Sequence, residues 1–388
     1  MDFQLNEEQR MLKDTVHRLM EDKCSFDMRP AIIDHGAFDA EHWQLFAEQG
    51  LLGLALPESC GGLGYTAIET ALVMEEMGRV LFIEPYWPIA VMAAQVLLAA
   101  GDSQSQELLQ DLSSGGFKPV LAHEEIGTRG CLSHVATCAE STGPATWLLN
   151  GRKTAIVAGN IADKLIISAR TGGTRTDLQG ISLFLVDPAS PGLQLTPHRL
   201  IDNRWGAEIE LRDLKVSVDD MIGEPGQGYE ILEQAHAHAM VALCAEAIGV
   251  MEQAMWLTRD YLQMRKQFGQ PLSSFQALQH RMSDMLIELE LSRGMVHMGL
   301  ASLDQVPEQR QPALSAMKAH IGKSGQFVCG QSIQLHGGIG VTEEYSIGHY
   351  FKRMTLINGA LGSSMYHYEE LARMERDAIE EIHITMPK

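Results

Sequence analysis

The hydrophobic rhythm of the chain changes twice. Up to about residue 116 the apolar positions recur at helical spacing. Met11, Leu12, Val16, Leu19 and Met20 follow the three-to-four period of an amphipathic helix. Asn6 with Gln9 in front of them fits a capping box. Asp39 is placed to cap a short helix through Trp43 and Phe46. Ile68 to Leu81 reads as a further amphipathic helix, and Pro88 to Ala100 as a more buried one. The glycine-rich stretch Pro57–Gly64 lacks the preceding strand and following helix of a phosphate loop, so it reads as a helix connection.

After Gly115-Gly116 the apolar runs shorten. Those at 120–122, 147–149, 164–169 and 181–186 are separated by Gly, Pro, Asn and Asp, which is a strand pattern. Asn150-Gly151 predicts a hairpin turn. Successive strands with no helix between them imply an antiparallel barrel or sandwich. Gly223–Gly228 marks the return to helix. Periodic segments follow at about 229–263, 271–303, 312–331 and 363–381, with Pro271, Pro307 and Pro312 marking starts or connections. The expectation is an α+β chain with a helical domain over 1–116, a β domain over 117–224 and a helical domain over 225–388.

Charge and composition narrow the function. With 30 basic and 50 acidic residues the formal charge is −20, leaving no basic surplus for a nucleic-acid backbone. No run of about 18 uninterrupted apolar residues predicts a membrane span. The first residues lack the basic and apolar regions of a signal peptide, and Thr385–Lys388 is no lipidation or peroxisomal address. Cysteines 24, 60, 131, 138, 244 and 329 include no C-x-x-C pair, as expected of reduced thiols in a cytoplasmic protein. His236 and His238, two apart on a helix, point to different faces, so no metal site is expected. Neither a nucleophile elbow nor a nucleotide P-loop is present.

Two C-terminal segments carry the chemistry. One is Tyr261–Gly269 with Phe275 and Gln276; the other is Gln334–Gly340 with Glu344 and Tyr345. Arg265 alone is an ordinary cation at a helix C-terminus. Beside the second segment, its rigid fork of donors suits a diphosphate. Gly337 and Gly338, lacking Cβ atoms, would let the backbone come close to phosphate or ribose.

Together these segments resemble the acyl-CoA dehydrogenase family, which uses FAD to oxidise acyl-CoA thioesters to 2-enoyl-CoA. The resemblance covers nearly the whole chain. It implies a helical domain, a central antiparallel β-barrel and a C-terminal four-helix bundle. It also implies that Arg265, Phe268, Gln276, Gln334, Gly337 and Gly338 contact the distal part of an FAD held mainly by a neighbouring subunit. Electrons would pass to an electron-transfer flavoprotein.

The rest of the family's site is altered. Where the resemblance implies a glutamate base this chain has Leu361, and at a second base position it has Ala239 followed by Met240. Neither Leu nor Ala can accept a proton. At the strands that would flank the flavin ring, His123-Glu124 replaces Thr-Glu, while Ala155 and Val157 stand for Trp and Thr. The segment 125–130 lacks the usual glycine-rich turn. Alanine cannot stack and valine cannot donate a hydrogen bond. Glu246, one heptad beyond Ala239, reads first as a helix-surface carboxylate and otherwise as the best candidate for a relocated base. His336 is expected to have a structural or interface role.

This combination resembles the base-lacking small subunits of heterotetrameric acyl-CoA dehydrogenases, such as those of pimeloyl-CoA dehydrogenases. That branch implies lipid or steroid catabolism with an unlike partner subunit. The alternatives are a self-sufficient homotetrameric dehydrogenase with a relocated base, and a flavin-free scaffold homologue.

Overall fold

The computed structural model describes residues 4–34, 36, 38–128 and 130–385. The Met1–Phe3 start, Arg129 of the altered turn and the Met386–Lys388 end lie outside them.

Helix α1 (Glu7–Lys23) starts at the expected capping box. Asn6 Oδ1 accepts from the Gln9 amide at 2.8 Å, and Gln9 Oε1 accepts from the Asn6 amide at 3.0 Å. After α2 (Arg29–Asp34), α3 (Ala40–Glu48) is capped by Asp39, whose Oδ1 takes the amides of Glu41 and His42. Next comes α4 (Ala67–Arg79). The buried helix expected at 88–100 is in two parts, a π-helical stretch Trp87–Ala93 and then α5 (Ala94–Ala100). α6 (Ser103–Ser113) has no separate counterpart in the sequence reading, because it buries only Ser105, Leu109 and Leu112 and so leaves little apolar pattern.

The strands are β1 (Pro119–Ala122), β2 (Cys138–Gly143), β3 (Thr146–Val157), β4 (Lys164–Arg170), β5 (Ile181–Val186), β6 (Leu193–Arg199), β7 (Trp205–Ser217) and β8 (Met221–Ile222). They form one sheet in the order β6-β7-β3-β2-β4-β5-β8, with β1 beside β4. The antiparallel barrel is corrected in two respects. β1 runs parallel to β4, as does β2 at Cys138 and Arg170, the latter because the chain reverses once into β3 and again into β4. Pairing among the described residues also leaves β6 and β8 as two ends. Alternation along a strand records its faces, not its neighbour's direction.

The hairpin turn is displaced as well. It lies at Pro144-Ala145, and Asn150-Gly151 sits within β3 at a register shift against β7. Asn150 Oδ1 accepts from the Asp213 amide at 2.8 Å, and a Cβ on Gly151 would lie 2.5 Å from Thr137 Oγ1. The Asn-Gly pair thus marks a bulge rather than a turn.

Among the described residues the C-terminal part carries five α-helices. They are α7 (Gly228–Met264), α8 (Gln276–Ser302), α9 (Pro307–His336), α10 (Ile347–Gly359) and α11 (Ser364–Thr385). A two-stranded hairpin, β9 (Lys266–Gln267) with β10 (Gln270–Pro271), joins α7 to α8. Pro307 opens α9 as expected, but Pro312 lies inside that helix. α7 is long and apolar enough to cross a membrane, yet 78% of its apolar window is buried inside the protein, as in a core helix.

Two compact units result: residues 1–26, 71–82 and 243–388, and residues 27–70 and 83–242. In the second, Leu165, Ile166, Ile167, Ile181, Leu183 and Phe184 of β4 and β5 are fully buried. In the first, α4 and α7 cross at glycines. A Cβ on Gly78 would lie 2.1 Å from the Glu246 carbonyl oxygen, and one on Gly249 would lie 1.9 Å from that of Glu75. Charges surround the crossing. Glu75 meets Lys13 at 3.1 Å and Arg293 at 3.0 Å, and Glu252 takes both Arg79 and Arg293. Gly249→Ala should therefore destabilise by overpacking, by about 1–3 kcal/mol. A chemical-denaturation midpoint indistinguishable from the parent's would show that the two helices have room to part.

Candidate functional site

The first C-terminal motif grows from the end of α7. The Arg265 amide closes the last turn on the Tyr261 carbonyl at 2.8 Å, and the Leu272 amide returns to the Arg265 carbonyl at 2.8 Å. Between them Phe268 (φ 54°) and Gly269 (φ 80°) form the tip of the β9–β10 hairpin, both in the left-handed region. A non-glycine residue seldom adopts that region. Phe268 does so with 89% of its surface exposed, its ring meeting that of Phe275 edge-on at 6.2 Å. Arg265 is exposed and has no ion-pair partner among the described residues. Gln276, the first residue of α8, is exposed beside it in sequence.

The second motif is the end of α9. Gln334 is exposed, His336 is buried, and Gly337 takes φ 68° and ψ −140°, a conformation essentially confined to glycine. An added Cβ on Gly337 or Gly338 would meet nothing within 4 Å, so the backbone there faces open space. Ring contacts bring the two motifs together within one unit. His336 stacks on Tyr261 at 4.4 Å and 26°, and contacts Tyr345 at 5.2 Å and 50°. The sequence showed His336 beside the double glycine, but nothing in the pattern pointed to Tyr261 as its neighbour.

The two positions expected for a base, Leu361 and Ala239, are both buried. Leu361 is 6% exposed and has a left-handed backbone, φ 57°. Its turn is held from below by two buried side chains that sequence reasoning missed. Lys318 Nζ donates to the carbonyls of Asn358 (2.9 Å) and Gly362 (2.7 Å), and His367 Nε2 donates to that of Leu361 (2.9 Å). Burial pushes the Lys318 ammonium down to about 8. Ala239 and Met240 are buried in α7. Glu246 is engaged elsewhere: its two oxygens take Arg353 Nε at 2.6 Å and Nη2 at 2.5 Å, with both side chains 2% exposed. A carboxylate so occupied is a poor proton acceptor. The geometry therefore argues against Glu246 as a relocated base.

On the sheet, the segment after β1 is also tied down. Lys153 Nζ, fully buried, donates to Glu125 Oε1 (2.7 Å), Ser168 Oγ (3.0 Å) and the His123 carbonyl (3.1 Å). Glu125 also accepts from the amides of Ala136 and Thr137 and from the Thr137 hydroxyl. Burial works against the Glu125 carboxylate, but Lys153 and these donors bring it below the usual range. Burial, with Lys153 nearby, pushes His123 down to about 3, so its ring is neutral. Glu124 is raised by burial and accepts from Thr128 Oγ1 at 2.8 Å. Ala155, at φ 52°, lies exposed beside the β3 register shift, with half-buried Val157 two residues on. No sequence signal marked Lys153 as the centre of this network.

Comparison with known proteins decides the family. Models of the N-terminal, middle and C-terminal domains of acyl-CoA dehydrogenases match residues 6–116, 121–214 and 226–375 in turn. The chain belongs to the acyl-CoA dehydrogenase family. It is 29% identical to the probable acyl-CoA dehydrogenase YngJ of Bacillus subtilis, covering 96% of this chain and 99% of that one. Among solved structures it is similar to a variant of the Tcur3481-Tcur3483 steroid ACAD (28% identity, TM-score 0.86, 96% and 99% coverage). Butyryl-CoA dehydrogenase of Megasphaera elsdenii shares the fold, with TM-score 0.86 at 23% identity over 96% and 99% of the two chains.

Members of the acyl-CoA dehydrogenase family are FAD flavoproteins, and the two ends of that dinucleotide fit this chain unequally. An unpartnered guanidinium and two open glycines could receive a diphosphate and ribose. On the sheet the small, apolar Ala155 and Val157 offer neither a stacking surface nor a donor for an isoalloxazine ring.

Proposed function

We propose that this chain is the base-lacking partner subunit of an FAD-dependent acyl-CoA dehydrogenase, assembled as an α2β2 tetramer with an unlike chain of the same family. The observation that carries this reading is the turn at Leu361, where a strained backbone held by Lys318 and His367 presents a side chain that cannot take a proton. Ala239 and Glu246 do not supply the missing base. In contrast, the outward-facing residues Arg265, Phe268, Gln276, Gln334, Gly337 and Gly338 are all exposed.

In this reading Arg265 would hold the diphosphate of the partner's FAD, and the open Gly337–Gly338 backbone would admit its ribose. Phe268 packs beside them, and the two glutamine amides add hydrogen bonds. When bound, the flavin supplies hydride acceptance. The α-proton of the acyl-CoA thioester is removed by a carboxylate of the unlike subunit, giving 2-enoyl-CoA, and electrons leave to an electron-transfer flavoprotein. The Tcur3481-Tcur3483 steroid ACAD, with two components in its name, supports both the unlike partner and a steroid-type acyl group. On α8, Ile287 and Leu291 are 56% and 54% exposed one turn apart, which supports a covering subunit on this side of the bundle. The six free cysteines accord with a cytoplasmic setting.

The test is flavin absorbance per chain, measured on the protein purified alone and with its candidate partner. No flavin alone and one FAD per unlike pair is the expected result. A full complement of FAD in the lone protein would overturn the reading.

A further inference from the structure

Helix α3 is held to the chain beyond α4 by a sealed ion pair. His42 Nδ1 lies 2.9 Å from Glu84 Oε1, and the two residues are 9% and 2% exposed. The ionisable groups acting on the ring are Glu84, across the seam, and Asp39 and Glu41 at the start of α3; all three are acids. The Glu84 hydrogen bond lifts the imidazole's affinity for a proton above the usual histidine value, burial works against it, and the three carboxylate charges add to it. The carboxylate itself is half satisfied, because Glu84 Oε2 is sealed and has no hydrogen-bond partner among the described residues. The same is true of two indole N–H groups, those of Trp43, next to His42 in the chain, and Trp87, the first residue of the π-helical stretch.

The seam borders an enclosed cavity. A second bond crosses it, from the Tyr86 hydroxyl to the Leu51 carbonyl at 2.8 Å. The cavity, about 20 Å³, lies between Ala55 and Leu56 on the α3 side and Tyr86, Val91 and Gln95 on the other. Gln95 is 7% exposed, and its side-chain amide has no hydrogen-bond partner among the described residues. One wall is therefore continuous with α3 and the other with Glu84, so parting the seam opens the cavity.

We propose that the His42–Glu84 pair is a pH-dependent latch on this cavity, closed while the ring carries a proton and released once it is neutral. A protonated ring gives Glu84 a counter-ion in a place sealed from water. A neutral ring leaves a buried carboxylate with an uncharged donor, and hydrating it requires α3 to part from the 84–86 segment. Parting also hydrates the two indoles and the Gln95 amide, which offsets part of its cost. Because Glu84 raises the ring's proton affinity, the latch is fully closed below the usual histidine value of 6.5 and is lost as the pH rises through the higher value of the folded state.

The test is amide hydrogen exchange of the full chain, followed by mass spectrometry at about pH 6 and about pH 8, with the intrinsic pH dependence of exchange divided out. Peptides from α3 and from the Tyr86–Gln95 wall should exchange about tenfold faster at the higher pH, as expected when one charge-assisted hydrogen bond is weakened. Peptides from β4 and β5, which hold no part of the seam, should not change. Glu84→Gln removes the charge that needs a counter-ion and should keep both segments equally protected at the two pH values. His42→Gln cannot take the proton and should show the faster exchange at both. Equal protection of the parent at the two pH values overturns the latch. A rise that survives in Glu84→Gln overturns it too, even if His42→Gln does not fold. Faster exchange in α3 alone, or spread equally over β4 and β5, also overturns it, since the first leaves the cavity shut and the second is global unfolding.

Discussion

Arg353→Met will lower the unfolding free energy by about 3–5 kcal/mol, the cost of leaving a buried charge without its partner. Glu246 and Arg353 are joined by two short bonds, and both side chains are 2% exposed. Water cannot replace the lost guanidinium there, so the carboxylate must stay charged without its two Arg353 bonds or take up a proton. The pair lies where α7 and α10 meet inside one unit, next to the Gly78 approach to the Glu246 carbonyl. There is accordingly little slack for the backbone to adjust. Replacing both residues together, as Glu246→Leu with Arg353→Met, should recover most of the loss, because no orphaned charge remains. Denaturant melts of the parent, both single variants and the double variant measure the coupling. A loss under about 1 kcal/mol for Arg353→Met would mean that the pair behaves like an exposed one. It would also reopen the case for Glu246 as a proton acceptor.

Glu246 shows how far the sequence could be read. Its position on the face of α7 shared with Ala239 was legible from spacing, but its partner was not. Arg353 is 107 residues away along the chain, and no local pattern announces a contact of that kind. The same limit hid Lys153 with Glu125, and Lys318 with the turn at Leu361. Local signals fared well where the physics is local. The Asn6 capping box and the Asp39 cap formed as the side chains dictate. Asn150-Gly151 failed as a turn because the approach of Thr137 and the amide pairing with Asp213 made it a bulge inside β3. Helix α6 was read only as part of the helical stretch to about 116, because its buried stripe is short, Ser105 with Leu109 and Leu112. The Arg265 and Gly337 motifs were visible as motifs. The ring stack that joins them had to be seen in three dimensions.

Arg265→Ala should raise the dissociation constant for FAD in the assembled two-chain enzyme by about a hundredfold, as expected when one partner of a buried, hydrogen-bonded charge pair is removed. In the lone chain Arg265 is exposed and makes no ion pair among the described residues, so its removal should leave the fold's stability unchanged. The two outcomes together separate a ligand contact from a structural one. Arg265→Lys should fall between parent and alanine, since lysine keeps the charge but loses the fork of donors. Arg373 is the control, as an exposed arginine already paired with Glu370 and Asp377, and Arg373→Ala should leave FAD retention as in the parent. The readout is FAD absorbance retained per unlike pair after dilution and dialysis, with the melting temperature measured in parallel. If Arg265→Ala retains FAD like the parent, the exposed hairpin has another role, and the cross-subunit assignment of Phe268 and Gln276 fails with it. If FAD is lost but turnover returns when free FAD is supplied in excess, Arg265 serves binding and not the chemical step. That division is what a subunit without a base should show.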